Sequence, residues 1–274
     1  MQVCLMPQPV IAFLRQSLML RAAIAECVET PEPKAVHRLR STTRRMEAVL
    51  ELLTASADLP NDRQKEKSLR KYLRKIRQAS GKVRDIDVHL EMLSSYKTIG
   101  DATHLERDLT AARKKLVDKL QRRILKDERN IRRSLDNLET SLAPLVDLDL
   151  SGGSVAHAAQ DWLATAVNGL DPQQDDGLHS IRKACKTARY IAEIGSEASK
   201  SATRLAHRLN DIQQTTGAWH DCLLLLNQAH ASLHNDSPLI EKIHAKALRL
   251  RRRAESKARP LYSMSKLVHH ARPI

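Results

Sequence analysis

A short pattern of a histidine followed by two basic residues occurs twice in this sequence, in distant parts of the chain. The two copies are His37, Arg40 and Arg44, and His179, Arg182 and Lys186. Steps of three and four residues bring side chains to one face of a helix. Arg, Lys and protonated His offer hydrogen-bond donors and no acceptors. The chemistry that this pattern predicts is therefore the binding of an oxygen-rich anion, above all phosphate.

A longer run of bases indicates a third face of the same kind. On one side of the helical wheel we place Arg63, Lys67, Arg70, Arg74 and Arg77. We expect no carboxylate among them. Stacked like charges destabilise an isolated helix, and a bound anion would offset that cost. The alternative interpretation is an ordinary solvated face.

A second pattern, a glycine followed four residues later by an aspartate, is also repeated. It occurs as Gly81 with Asp85 and as Gly217 with Asp221, each downstream of its histidine pattern. Two patterns in the same order predict an internal repeat. We expect the glycines to mark a close helix approach or a kink, and the aspartates to orient an Arg or His.

A metal-dependent phosphohydrolase is the alternative that His220 and Asp221 raise, with His179 upstream and a later acid such as Asp236. The equivalent pair in the first copy is Arg84 and Asp85, and arginine does not bind metals. Phosphate-binding loops and nucleophile motifs of known enzymes are also missing. We therefore expect binding without catalysis, with no cofactor and no metal.

The elements that must position these residues are helices, because apolar residues recur with a period near 3.6. The linker with Pro144, Gly152 and Gly153 predicts a division into residues 1–150 and 151–274. The expected fold class is all-α, with two four-helix bundles as an internal repeat. A break near Gly81 is possible. The predicted helices are 8–29, 32–55, 62–96, 102–142, 154–169, 175–195, 199–234 and 237–268.

The expected core faces lie opposite the bases on three of these helices. They comprise Leu39, Met46, Leu50 and Leu53; Leu69, Tyr72, Ile76 and Val83; and Ile181, Ala184, Ala188 and Ala192.

Composition narrows the choice of anion. The 274 residues include 46 Lys and Arg against 32 Asp and Glu, a formal net charge of +14, and only 3 % aromatic residues. Such a charge attracts polyanions, whereas proteins that bind single strands by base stacking need more aromatic side chains. Four cysteines without close pairing, no membrane span and no signal peptide predict a cytoplasmic protein with reduced thiols.

With the paired histidine helices and the paired glycine–aspartate segments, the sequence resembles the CHAD (conserved histidine α-helical domain) family. The resemblance covers nearly the whole chain. It implies two four-helix bundles related by a pseudo-two-fold axis. It also implies non-enzymatic binding of inorganic polyphosphate on a basic surface and localisation to polyphosphate granules. The sequence departs from the family pattern at His220, which stands where a more ordinary polar residue is usual.

The partners implied by the resemblance are inorganic polyphosphate and polyphosphate-metabolising enzymes, with nucleic acid as a weak competitor. A protein that binds the nucleic-acid backbone is the alternative function. The basic stripes and the matched motifs together give the expected polyphosphate contacts. They are His37, Arg38, Arg40, Arg44, Arg45, Arg63, Lys67, Arg70, Arg74, Arg77, Arg84, His179, Arg182, Lys183, Lys186, Arg189, Arg208 and His220.

Overall fold

The part of the chain that a computed structural model describes is all-α, as predicted. It comprises residues 8–55 and 63–270, with the side chains of residues 63 and 262–270 left out of the description. No strand occurs within these ranges. The helices are α1 (Pro9–Glu29), α2 (Pro33–Ala55), α3 (Arg63–Leu93), α4 (Gly100–Leu142), α5 (Gly152–Val167), α6 (Asp175–Ile194), α7 (Lys200–Ser232) and α8 (Pro238–His270).

The helix ends follow local signals in the sequence. Proline stands in the first turn of α1, α2 and α8, where its missing N–H group has no intrahelical partner to lose. Three serines cap helices by accepting a bond from a first-turn N–H group. Ser151 Oγ accepts from Ser154 N at 2.9 Å, and Ser237 Oγ accepts from Leu239 N at 3.2 Å. Ser199 caps α7 in the same way.

The break expected near Gly81 is absent, because α3 runs without interruption from residue 63 to residue 93. The break expected after Leu142 is present, and a 3₁₀ turn at Ala143–Leu145 precedes α5. Among the described residues, no helix is both long enough and apolar enough to cross a bilayer.

The chain divides into two compact units that each draw segments from both sides of residue 151. Unit 1 comprises residues 1–84, 115–160 and 187–206, and unit 2 comprises residues 85–114, 161–186 and 207–274. The borders fall inside helices, so this is a different division from the two predicted halves. The internal repeat with its boundary at residue 151 stays a prediction.

The core of unit 1 confirms the apolar faces predicted for α2 and α3. Leu39, Met46 and Leu69 are fully buried, and Tyr72 packs against their cluster while partly buried. Large side chains of α1 and α4 complete the cluster, among them Phe13, Leu20, Leu120, Ile124 and Ile131.

The buried side chains of unit 2 come from the end of α3, the start of α4, and α5 to α8. Trp219 is the largest of them. The predicted core face of α6 is confirmed, since Ile181 and Ala184 are buried in this unit and Ala188 and Ala192 are buried in unit 1. Cys185 and Cys222 are buried free thiols, and burial raises the pKa of Cys185 to about 12.

Candidate anion-binding site

The predicted contact residues separate into two groups, one in each unit. Arg63 begins α3, and its side chain lies outside the described part. Exposed members are His37, Arg38, Lys67, Arg74, Lys183 and Arg208, while the others are half-buried. Unit 1 holds His37, Arg38, Arg40, Arg44, Arg45, Arg63, Lys67, Arg70, Arg74, Arg77, Arg84 and Arg189, and unit 2 holds His179, Arg182, Lys183, Lys186, Arg208 and His220.

Arg40 of α2 lies directly on the backbone of α3, and this contact explains Gly81. Its Nη1 donates to the carbonyl oxygen of Arg77 at 3.2 Å. A Cβ atom at residue 81 would overlap with Nη1 and would lie 3.2 Å from Cζ. The prediction for Gly81 is a close helix approach or a kink; the group that comes close is the guanidinium of an α2 side chain, and α3 is uninterrupted. At Gly217 the prediction is wrong, because nothing lies within 4 Å of a Cβ placed there and α7 is continuous.

Gly81→Ala should displace the Arg40 guanidinium at little cost to stability. The group in the way is the end of a flexible side chain, and alanine favours helix by up to about 1 kcal/mol over glycine. We expect anion affinity to fall several-fold while the free energy of unfolding stays within about 1 kcal/mol of the starting protein. The measurements are polyphosphate titration and urea unfolding. Gly217→Ala is the matched control, and an equal loss of affinity in both variants would contradict the role given to Arg40.

Carboxylates accompany two arginines of the α3 face, so the prediction that no acid stands among them is wrong. Arg70 Nη1 lies 2.7 Å from Glu51 Oε1, and its Nε donates to Glu66 one turn earlier. Arg77 Nε donates to Glu47 Oε1 at 3.0 Å. Glu47 and Glu51 belong to α2, and only the packing of α2 on α3 brings them here.

A second cluster brings together two predicted arginines that are far apart in sequence. Arg45 of α2 and Arg189 of α6 both pair with Glu193, at 2.7 Å and 3.0 Å. Both guanidinium groups also lie over the ring of Tyr190, at 4.6 Å and 4.5 Å from its centroid. A carboxylate and an aromatic face thus hold two cations in fixed positions.

These ion pairs position the arginines without exhausting their donors. A guanidinium has five N–H donors, and each of these carboxylate contacts engages one or two of them. The side chains of Arg45, Arg70 and Arg77 keep 38 %, 27 % and 28 % of their surface exposed. Partly exposed pairs of this kind contribute only about 0.2–1 kcal/mol each. A phosphate oxygen can therefore take the remaining donors, or replace the carboxylate, at small cost.

Three predicted contacts on α3 differ from Arg70 and Arg77 in having no described acid beside them. Among the described side chains, no carboxylate lies within ion-pair distance of Lys67, Arg74 or Arg84. Arg38 faces a different way, because its Nη1 pairs with Glu26 of α1 at 2.8 Å. The candidate site of unit 1 thus combines arginines held by acids of α2, α3 and α6 with bases that have no carboxylate beside them among the described side chains.

In unit 2 the structure joins His179 and His220, two residues that the sequence related only through the metal-site alternative. Their Nδ1 atoms are 3.2 Å apart, and the ring centroids are 4.2 Å apart. One Nδ1 must donate and the other must accept, so this bond requires that one ring be neutral. At most one of the two can then be an imidazolium while the bond holds. Both are predicted phosphate contacts, so these two contacts cannot both carry a ring charge while they share this bond.

Within the described part of the chain, no three His, Cys, Asp or Glu side chains are grouped so as to hold a metal ion. The buried Asp87 of unit 2 forms an ion pair with the half-buried Arg113, with 2.6 Å between Oδ1 and Nε. This pair was missed because its members lie on different helices and belong to no repeated pattern.

His89 of unit 2 is nearly fully buried, at 2 % exposure. Burial lowers its pKa, and the negative charge of Asp85 opposes this effect without overcoming it. Asp85 thus acts on His89 through its charge, and the orienting hydrogen bond expected of Asp85 stays a prediction.

Acid should destabilise the fold through His89. In the folded state the neutral ring is favoured, so the unfolded chain binds the extra proton once the pH falls below about 6.5. The contribution of the neutral His89 ring to folding stability is fully present above this pH. It is lost as the pH falls towards the lower pKa of the folded state, at up to about 1.4 kcal/mol per pH unit. We expect His89→Leu to show a flatter dependence between pH 7.5 and 5 in urea unfolding. Parallel curves for the two proteins would refute this assignment.

The chain resembles a known domain family in sequence and two solved structures in fold. The sequence profile of the CHAD domain matches residues 13–230, well over half of the chain. A crystal structure of the CHAD domain from the plant Ricinus communis is 18 % identical, with a TM-score of 0.68 over 93 % of this chain and 90 % of that chain. PptA from Streptomyces chartreusis is 17 % identical, with a TM-score of 0.60 over 96 % of this chain and 99 % of that chain. No curated protein matches the sequence.

Proposed function

Because this chain belongs to the CHAD domain family, we propose that it binds inorganic polyphosphate without turning it over. The contacts are the Arg, Lys and His side chains of α2, α3, α6 and α7. Binding of this polymer would direct the protein to cytoplasmic polyphosphate granules, where polyphosphate-metabolising enzymes are candidate partners.

The observation that carries the proposal is the set of half-buried arginines held in place by single carboxylates. Arg45 and Arg189 share Glu193, and Arg77 is held by Glu47. A guanidinium that is fixed before binding loses less conformational freedom when it grips a phosphate. Polyphosphate offers oxygens only, and such donors suit its repeating charge.

The same acids support binding rather than catalysis. Metal-assisted phosphoryl transfer needs carboxylates that are available to hold Mg²⁺. In the candidate site of unit 1, Glu47, Glu51, Glu66 and Glu193 all face arginines.

The test is a titration of the whole chain with long-chain polyphosphate at several salt concentrations. We expect tight binding whose affinity falls steeply and linearly on a log–log plot, because each phosphate contact releases a condensed counterion. Duplex DNA at equal charge concentration should not displace the polymer. Displacement by DNA would favour the nucleic-acid alternative, and release of phosphate with Mg²⁺, Mn²⁺ or Zn²⁺ would show an enzyme.

A further inference from the structure

A cavity of about 450 Å³ opens between α3 and α4 within unit 1, on a face that the sequence did not single out. This volume is within the ordinary range for small-molecule sites, about 300–1,000 Å³. Six bases form most of its lining, namely Lys75, Lys82, Lys119, Arg122, Arg123 and Lys126.

The cavity is separate from the face of α3 that carries Arg70 and Arg77. Lys75 precedes Arg77 by two residues, which turns an α-helix by about 200°. Arg77 meets Glu47 of α2, whereas Lys75 and Lys82 face a cavity whose other wall is α4. The bases of the two sites therefore project from different sides of the same helix.

Fewer carboxylates neutralise the bases of the cavity than those of the α3 face that carries Arg70 and Arg77. One of the cavity bases has an acid beside it, since Asp127 Oδ2 lies 3.6 Å from Arg123 Nη1. The amines of Lys82, Lys119 and Lys126 are exposed, and no described carboxylate lies within ion-pair distance of them. Like charges gathered around one concavity raise its potential and attract an anion.

The lining also indicates the chemical class of that anion. It contains no aromatic ring to stack on a nucleobase and no acid to bind a sugar hydroxyl. Lysine ammonium groups on flexible stems adapt to charge from several directions, and Arg122 and Arg123 add planar donors. The ligand that this wall suits is small and carries negative oxygens on every side.

We propose that this cavity is a second anion site, which binds a compact condensed phosphate of the tripolyphosphate kind, free or as a stretch of a longer polymer. The chemical class of the ligand rests on the proposed function. The place of the site rests on the α3–α4 geometry.

Calorimetric titration with tripolyphosphate tests the site. We expect Lys82→Glu with Lys119→Glu to lower its affinity by at least about tenfold, since each change removes a charge-assisted contact. Lys34→Glu with Arg133→Glu is the matched control, because both residues are exposed in unit 1 and the change in net charge is the same. An unchanged affinity in the cavity variant, or an equal loss in the control, would overturn the proposal.

Amine acetylation read by mass spectrometry gives a test that needs no variant. We expect tripolyphosphate to protect Lys82, Lys119 and Lys126 from acetylation and to leave Lys34 reactive. Equal labelling with and without the ligand would refute the site.

The two proposals fail in different ways. If long-chain polyphosphate does not bind but the cavity variant loses tripolyphosphate, the cavity site stands and the predicted polyphosphate contacts are wrong. If long-chain polymer protects the same three lysines, the ligand can be a stretch of polymer; if only tripolyphosphate does so, the site takes a free short chain. Loss of tripolyphosphate only on reversal of Arg40 and Arg182 would mean that short anions bind at the predicted polyphosphate contacts, and the cavity proposal would fall.

Discussion

Replacement of Arg40 and Arg182 together by glutamate should weaken the binding of long-chain polyphosphate by at least about a hundredfold. Each arginine follows the histidine of its own copy of the repeated pattern, and one lies in each unit. A hydrogen bond to a charged group contributes about 1.5–3 kcal/mol, so the loss of two such contacts amounts to about 3–6 kcal/mol. Repulsion by the new carboxylates adds to the loss.

The control for this variant is Arg133→Glu with Arg252→Glu. Both residues are exposed, one lies in each unit, and the net charge changes equally. We expect this protein to keep most of its affinity, because only long-range attraction is reduced. Circular dichroism must show intact helices in both proteins, and glutamine at both positions serves if the glutamate variant does not fold. Equal affinities for the site and control variants would mean that the binding face lies elsewhere.

Gly177→Ala should destabilise the fold more than Gly81→Ala or Gly217→Ala. Gly177 lies in the first turn of α6, and a Cβ there would overlap with the carbonyl oxygen of Asp171 and lie 2.8 Å from its carbonyl carbon. These are backbone atoms, which cannot rotate away as the Arg40 guanidinium can. Overpacking of this kind costs about 1–3 kcal/mol or more, and we expect a value of at least about 2 kcal/mol in urea unfolding.

Gly217→Ala gives the comparison on the neighbouring helix. Open space surrounds the new methyl group, and alanine is the better helix former, so we expect stabilisation of about 0.5–1 kcal/mol. The two substitutions should therefore shift the unfolding midpoint in opposite directions. A shift of the same sign for both would show that the surroundings of these glycines differ from those described.

The two glycines of the repeated pattern illustrate what pattern alone leaves open. Each of Gly81 and Gly217 precedes an aspartate by four residues, so the pattern predicted the same role for both glycines. In the folded chain Arg40 crowds Gly81, while Gly217 faces open space. Sequence equivalence predicted similar positions in a helix, but which side chain reaches each glycine depends on how the neighbouring helix packs.

The charged residues also separate what residue spacing predicts from what helix packing decides. The choice of arginine and lysine, and their placement opposite the core stripe of α2 and α3, could be inferred from residue spacing. Their partners could not: Glu51 is nineteen residues from Arg70, and Glu193 is on a different helix from Arg45. The sequence did not indicate the basic cavity between α3 and α4 either, because only the packing of these helices brings its two walls together.

The sequence by itself determined the all-α class, the positions of the helices to within a few residues, their apolar faces and the excess of basic residues. These properties follow from periodicity and composition, which act over a turn or two of helix. Tertiary structure decided which arginines are held by carboxylates, that His179 meets His220, that the borders of the compact units fall inside helices, and where uncompensated lysines surround a cavity. Those features join residues distant in the chain, and only the burial of the apolar faces against one another brings such residues together.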